Sequence, residues 1–179
     1  MPNPETNEKS YPIIGVFADG DRAERAYQAC IERGYELGDV NVVVSEGRRQ
    51  KLLSTGDEIK AELAKREAEG GELGGPTGGR AGLLITIAAA VGAAVAVPAI
   101  GFAAGPIAVA LAAAGAAGAA GALVTVFGDW GIPDDRVKGY ESAIRAGQIL
   151  MMVKARSPED ARALAEAWER AGGDDIHRA

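Results

Sequence analysis

The chain lacks charged side chains over more than a quarter of its length. From residue 81 to residue 128, 48 consecutive residues include no Asp, Glu, Lys, Arg, His, Asn or Gln. Alanine contributes 20 of them, glycine 8, and bulky apolar residues most of the rest. Since folded soluble domains alternate apolar with polar positions, this uncharged segment is predicted to contact lipid or another uncharged protein surface.

Further absences narrow the possible functions. Cys30 is the single cysteine, so an internal disulfide framework is excluded and a reducing compartment is favoured. The net charge of −6 and the pI near 4.9 argue against a nucleic-acid partner and against a polybasic lipid anchor, because both need clustered Lys and Arg. Residues 1–11 lack the basic and apolar stretches of a secretory signal, and we expect a disordered leader there.

The uncharged segment is long enough for two membrane passes, a re-entrant wedge or a helical hairpin buried in an oligomer. Pro98, Gly101, Gly105 and Pro106 predict a turn in its middle. The arm before this turn would form only about 22 Å of helix at 1.5 Å per residue. The arm after it is longer, but residues 112–122 include no bulky side chain. We therefore predict a helical hairpin that packs on itself more strongly than it partitions into lipid.

Small residues recur at regular intervals in this predicted hairpin. Gly115, Gly118 and Gly121 are three residues apart, and Gly101 and Gly105 are four apart. Such spacings let helix backbones approach closely, so these five glycines are the predicted self-association site. Lys and Arg flank both ends of the segment, and the positive-inside rule therefore predicts that both flanks face the cytoplasm.

Two regions outside the segment have the same strand–helix pattern. Strands are predicted at residues 13–18, 40–44, 149–153 and 175–178. A helix follows the first strand, with Asp19 as a capping residue, and another follows Ser157-Pro158, which is a typical helix start. Because a helix crossover joins the first two strands, we predict a βαβ unit with parallel strands.

The predicted fold class is α+β, a ferredoxin-like βαββαβ domain with the Ala/Gly-rich helical hairpin inserted between its second and third strands. Its helices should lie on one face of the antiparallel sheet. The α/β domain is split between residues 12–47 and 133–179. A charged arm and a Gly-rich linker are predicted over residues 48–82, and the hairpin is predicted over residues 83–128. Both ends of the hairpin should then lie close together.

No motif in the sequence predicts a reaction. Asp19 and Asp21 could open a calcium loop, but Ala23 takes the fifth position and no acid closes the frame, so helix capping is the favoured interpretation. The glycine-rich residues 70–82 lack the Gly-Lys-Ser/Thr of a phosphate loop. His177 has no Cys, Ser or second His near it in sequence. We therefore expect no catalytic residue, no cofactor and no metal site.

Several short motifs resemble a known family, the bacterial general-stress proteins of the heat-induced YflT type and related small proteins with a glycine-zipper hairpin. The resemblance covers roughly residues 12–173 and includes Gly15-Val16-Phe17, Arg22-Ala23-Glu24-Arg25-Ala26, Gly131-Ile132-Pro133-Asp134-Asp135 and Tyr140-Glu141. It implies a membrane-associated or oligomeric stress protein without an assigned catalytic activity. The charged arm over residues 48–69 departs from the family pattern, so a partner bound there would be specific to this chain.

Three hypotheses about function follow from these observations. The first is a non-enzymatic stress-response protein at the cytoplasmic membrane, self-associating through the glycines while its α/β domain faces the cytoplasm. The second is a soluble, cytoplasmic homo-oligomeric scaffold whose hairpins form a buried core or a lipid- or quinone-lined tube. The third is a small-ligand sensor domain. The expected partners are further copies of the chain and membrane lipids, with no nucleic acid.

Overall fold

A six-stranded antiparallel sheet is the centre of the structure, which is a computed structural model that describes residues 10–69, 94–97, 100–116 and 121–179. The strands are β1 (Tyr11–Phe17), β2 (Val40–Val44), β3 (Val95–Val97), β4 (Gly101–Ala104), β5 (Ile149–Ala155) and β6 (Asp174–Arg178). Their order across the sheet is β3-β4-β2-β5-β1-β6. Most of residues 1–11, the predicted Gly-rich linker at 70–82 and residues 83–93 lie outside the described part.

The three central strands are buried on both faces. Every residue of β2 is buried, and in β1 and β5 all but one of seven are buried, Tyr11 and Lys154 being more accessible. β5 pairs with β1 on one side, for example Ile13 with Val153, and with β2 on the other. Near-continuous runs of β-branched and aliphatic residues are typical of strands covered on both faces.

Helices cover each face of this sheet. In the described residues they are α1 (Gly20–Glu32), α2 (Glu46–Ala68), α3 (Ile107–Ala116), α4 (Ala122–Gly128), α5 (Asp134–Arg145) and α6 (Pro158–Arg170). α1 and α6 bury their apolar stripes against one face, where Trp168 donates a 3.0 Å hydrogen bond to the carbonyl of Ala26 and meets the ring of Phe17 edge-on. α3, α4 and α5 pack on the other face around Leu111, Phe127 and Tyr140.

The charged arm is a helix whose first turns are attached to the sheet. Arg48 donates hydrogen bonds to the carbonyls of Gly147 and, at 3.0 Å, Ala18. The guanidinium of Arg49 lies 4.4 Å from the ring centroid of Phe102 on β4. Most of the following turns of α2 are exposed, as a charge-rich sequence predicts.

The predicted fold class is wrong, because the described residues of the uncharged segment contribute two strands to the sheet and do not form the predicted helical hairpin. β4 pairs with β2, with Val43 opposite Ala103, and β3 extends the sheet beyond it. Beyond this β-hairpin the segment forms two separate helices, α3 and α4. Six strands in this order, with helices on both faces, differ from a four-stranded ferredoxin-like domain with its helices on one face.

The physical reason for the error is periodicity. In a run that is apolar at every position, neither the helical nor the strand period can be recognised. β1 and β2 run parallel, as predicted for the βαβ unit, since β5 is antiparallel to both, but they are not neighbours in the sheet because β5 lies between them. The individual strand predictions at residues 13–18, 40–44 and 149–153 are confirmed within two residues at their ends.

We predict that Gly101→Ala destabilises the fold by about 2–4 kcal/mol. Gly101 has a φ of +139°, and a Cβ there would lie 2.2 Å from the carbonyl oxygen of Val44. The free energy of unfolding is measured by urea titration followed by circular dichroism. Gly139→Ala, in an exposed part of α5 where nothing lies within 4 Å of the new Cβ, is the control and should stabilise by about 0.5–1 kcal/mol. Equal stability of Gly101→Ala and the unmodified protein would contradict the β2–β4 pairing.

Candidate functional site

The predicted self-association glycines are distributed over different elements. Gly101 begins β4 and Gly105 follows it, so neither lies in a helix. Both have positive φ, and a Cβ on Gly105 would lie 2.7 Å from the carbonyl oxygen of Val40. Their spacing therefore serves the close approach of β4 to β2 within the chain, which corrects the expectation of a helical contact at these two positions.

Two of the other three glycines, Gly115 and Gly121, lie in the described residues, close to the ends of helices. Gly115 is near the end of α3, and Gly121 precedes α4 with a φ of +96°. Gly118 lies outside the described residues. The predicted role of these three glycines in self-association stays a prediction.

One side of the molecule is accessible and uncharged. α3 packs against β3, which is the terminal strand of the sheet. Val109 on α3 is 75% exposed and Val95 on β3 is 45% exposed. We call this the uncharged surface, and it consists of Val95, Val109, Ala110 and Ala113.

α3 has 10 residues, about 15 Å at 1.5 Å per residue. In the parts of the chain that the structure describes, no helix combines the length and the apolar character that a bilayer crossing requires.

A cleft of about 380 Å³ lies beside the uncharged surface, where the start of β2, the end of β5, α3 and α4 meet. Its apolar lining comes from the first two turns of α3 and from α4, namely Pro106, Ile107, Ala110 and Val126. Its polar and aromatic lining consists of Tyr35, Asp39, Asn41, Trp130, Lys154 and Arg156. Ligand sites commonly combine such apolar walls with a few polar groups.

Two cations border the cleft, each stacked on an aromatic ring. The ammonium of Lys154 lies 4.7 Å from the ring centroid of Trp130, and the guanidinium of Arg156 lies 4.2 Å from that of Tyr35. Lys154 belongs to β5 and Arg156 directly follows it, and both line the cleft beside α3 and α4. Cation–π contacts of this kind orient the charged groups.

Tyr35 is held as a neutral phenol. Its hydroxyl donates to the carboxylate of Asp160 and accepts a 3.2 Å hydrogen bond from the backbone N–H of Arg156. Burial, followed by the hydrogen bond to Asp160, raises the pKa of Tyr35 to about 12. Tyr35 is therefore a fixed wall of the cleft and does not exchange its proton near neutral pH.

Asn41 joins the floor of the cleft to the uncharged segment. It is 2% exposed, its Oδ1 accepts a 2.7 Å hydrogen bond from the N–H of Ile107, and its Nδ2 donates at 3.3 Å to the carbonyl of Met152. Both polar atoms of the buried amide therefore have hydrogen-bond partners, which avoids the free-energy cost of burying an unpaired polar group. One side chain thus links β2, β5 and the start of α3.

The residues that the sequence analysis considered for chemistry lie elsewhere. Asp19 accepts a 2.9 Å hydrogen bond from the N–H of Arg22, which confirms the predicted helix cap. His177 is on β6 opposite Ile14, and burial, followed by the charge of Arg136, lowers its pKa. Within the described ranges, no three His, Cys, Asp or Glu side chains are grouped so that they could hold a metal ion.

Four residues of the cleft were not predicted from the sequence, namely Lys154, Arg156, Trp130 and Tyr35. A signal was present for the two cations, since Lys154 is the one exposed position of the buried strand β5 and Arg156 directly follows that strand. The aromatic partners come from turns distant in sequence, and local patterns give no information on such contacts.

Comparisons of the chain with models of protein families, with curated proteins and with solved structures give no significant match. The resemblance to the general-stress proteins stays a prediction.

We predict that Cys30 is inert in the native protein. It is fully buried, and burial raises the pKa of its thiol to about 12, whereas alkylation requires the thiolate. Iodoacetamide at mildly alkaline pH should modify native Cys30 at least about a thousandfold more slowly than Cys30 in concentrated urea, as measured by mass spectrometry over time. Fast modification of a protein that keeps its native circular dichroism spectrum would contradict the buried position.

Proposed function

We propose that this protein is a non-enzymatic protein that self-associates through the uncharged surface. The observation that carries the proposal is the exposure of α3, a helix with no polar side chain in its sequence, at Val109, Ala110 and Ala113. Helices that are apolar on all sides are normally buried. A second copy of the chain is the partner that would bury this one.

The edge of the sheet supports a protein partner over a lipid one. Among the described strands β3 is the terminal one, and within that part of the chain the backbone N–H and C=O groups on its outer side have no strand partner. Hydrocarbon cannot satisfy these groups, so open sheet edges are not found in the bilayer core. A second copy can satisfy them by strand pairing, as in β-augmentation.

The composition of the uncharged surface also supports a protein partner over a lipid one. Val95 and Val109 are the only large hydrophobic residues classed as exposed among those the structure describes, and each would contribute only a few tenths of a kcal/mol to insertion in a bilayer. Against a second protein, small residues permit close packing, and full burial of one valine is worth roughly 1.5–3 kcal/mol. The resemblance to general-stress proteins implies an oligomeric or membrane-associated protein, and this proposal keeps the oligomeric alternative.

The test is the mass of the protein in solution, measured by sedimentation velocity over a range of concentrations. The unmodified chain should sediment as a dimer or larger oligomer. Val109→Glu should shift it to the monomer, because a carboxylate without a partner is costly at an apolar interface. The matched control is Ala61→Glu, which adds the same charge at an exposed position of α2 and should leave the oligomer intact.

Two results would contradict the proposal. The first is a monomeric unmodified protein, or an oligomer that Val109→Glu leaves unchanged while its fold is retained. The second is flotation of the unmodified protein with phosphatidylcholine vesicles that Val109→Glu abolishes, because the uncharged surface would then contact lipid and not a second copy.

A further inference from the structure

We infer that the cleft between α3 and the end of β5 binds a small organic anion with a flat apolar body. The anionic group would lie at Lys154 and Arg156, and the body would lie against Trp130 and the apolar start of α3. The cleft shares Ala110 with the uncharged surface, but its cations and Trp130 are not part of that surface. The inference therefore goes beyond the proposed function.

The size of the cleft fits a small molecule. Its volume of about 380 Å³ lies within the range of ligand sites, which is roughly 300–1,000 Å³. Ile107, Ala110 and Val126 form an apolar wall, and the ring of Trp130 borders the same space. A ring-sized apolar body can therefore be enclosed there without burying an unpaired polar group.

The charges around the cleft favour an anion. In the described part of the chain, neither Lys154 nor Arg156 has a carboxylate within ion-pair distance. The one acidic residue in the lining, Asp39, accepts a 2.8 Å hydrogen bond from the backbone N–H of Glu36. Two cations and one carboxylate leave a net charge of +1 in the lining of a protein whose net charge is −6.

The cations are oriented before any ligand arrives. One Nη of Arg156 donates a 2.6 Å hydrogen bond to the carbonyl of Gly34 while the guanidinium stacks on Tyr35. A guanidinium has five N–H donors, so donors remain for a carboxylate or phosphate oxygen. Lys154 is positioned over Trp130, whose ring centroid lies 6.3 Å from that of Phe127. Such preorganisation lowers the entropic cost of binding.

Two polar side chains of the lining, Tyr35 and Asn41, are already engaged in contacts with the fold. Tyr35 stays protonated, for the reasons given above, and the amide of Asn41 uses its Oδ1 and one Nδ2 hydrogen in contacts with the fold. We therefore assign ligand binding to the cleft, and not catalysis of a reaction.

The two tryptophans provide a direct test by NMR. Trp130 borders the cleft, whereas Trp168 is buried on the other face of the sheet with its indole N–H bonded to Ala26. Titration of ¹⁵N-labelled protein with benzoate, or with phenyl phosphate, should shift the indole signal of Trp130 and leave that of Trp168 unchanged. Acetate and inorganic phosphate, which lack the flat body, and benzamide, which lacks the charge, should each bind at least about tenfold more weakly, a difference of about 1.4 kcal/mol.

A charge variant separates the anion contact from apolar binding. Lys154→Gln should weaken benzoate binding by about fivefold and leave benzamide binding unchanged, since it removes one of two cations near the carboxylate. The matched control is Lys138→Gln, an exposed lysine on α5 outside the cleft lining, which should have no effect. The inference is overturned if neither anion shifts Trp130, if benzamide or acetate binds as tightly as benzoate, or if Lys138→Gln weakens binding as much as Lys154→Gln.

Discussion

The close approach of β4 to β2 is the constraint on which the arrangement of the uncharged segment depends. Glycines at the start of β4 and just after it let the backbone come nearer to Val44 and Val40 than any side chain would allow. After Gly105 the chain turns into α3, whose first N–H is bonded by Asn41 of β2. The start of α3 then forms a wall of the cleft, and its outer side forms most of the uncharged surface. Both candidate sites are thus consequences of one strand pairing.

The sequence predicts the amphipathic parts of this fold well. α1 and α6 have their apolar residues at helical spacing and recognisable starts, with caps at Asp19 and Ser157, and they are found where the patterns place them. The uncharged segment could not be predicted in this way, because almost every position is apolar and no helical or strand period can be recognised. What determines its structure is a contact with β2, distant in sequence, that only glycine permits at Gly101 and Gly105. Glycines four residues apart are also typical of closely packed helices. The hairpin prediction followed from that interpretation of the spacing.

The candidate sites could be predicted only in part. The absence of charge indicates an uncharged surface, but which of its residues are exposed depends on how α3 lies on the sheet. Lys154 and Arg156 lie at the end of β5 and directly after it, whereas their partners Trp130 and Tyr35 come from separate turns. Cation–π pairs between distant parts of a chain leave no local pattern. The positive charge of the cleft therefore depends on tertiary contacts and could not be predicted from the sequence.

The most direct test of the account is the nuclear Overhauser effect between β2 and β4 in the full-length protein. The register places Val42 opposite Ala104, Val43 opposite Ala103 and Val44 opposite Phe102. We expect cross-strand contacts between the backbone protons of these pairs, together with slow amide exchange in β2. Sequential helical contacts through residues 101–104, with no contact to β2, would contradict the account, because the uncharged segment would then be a helix outside the sheet.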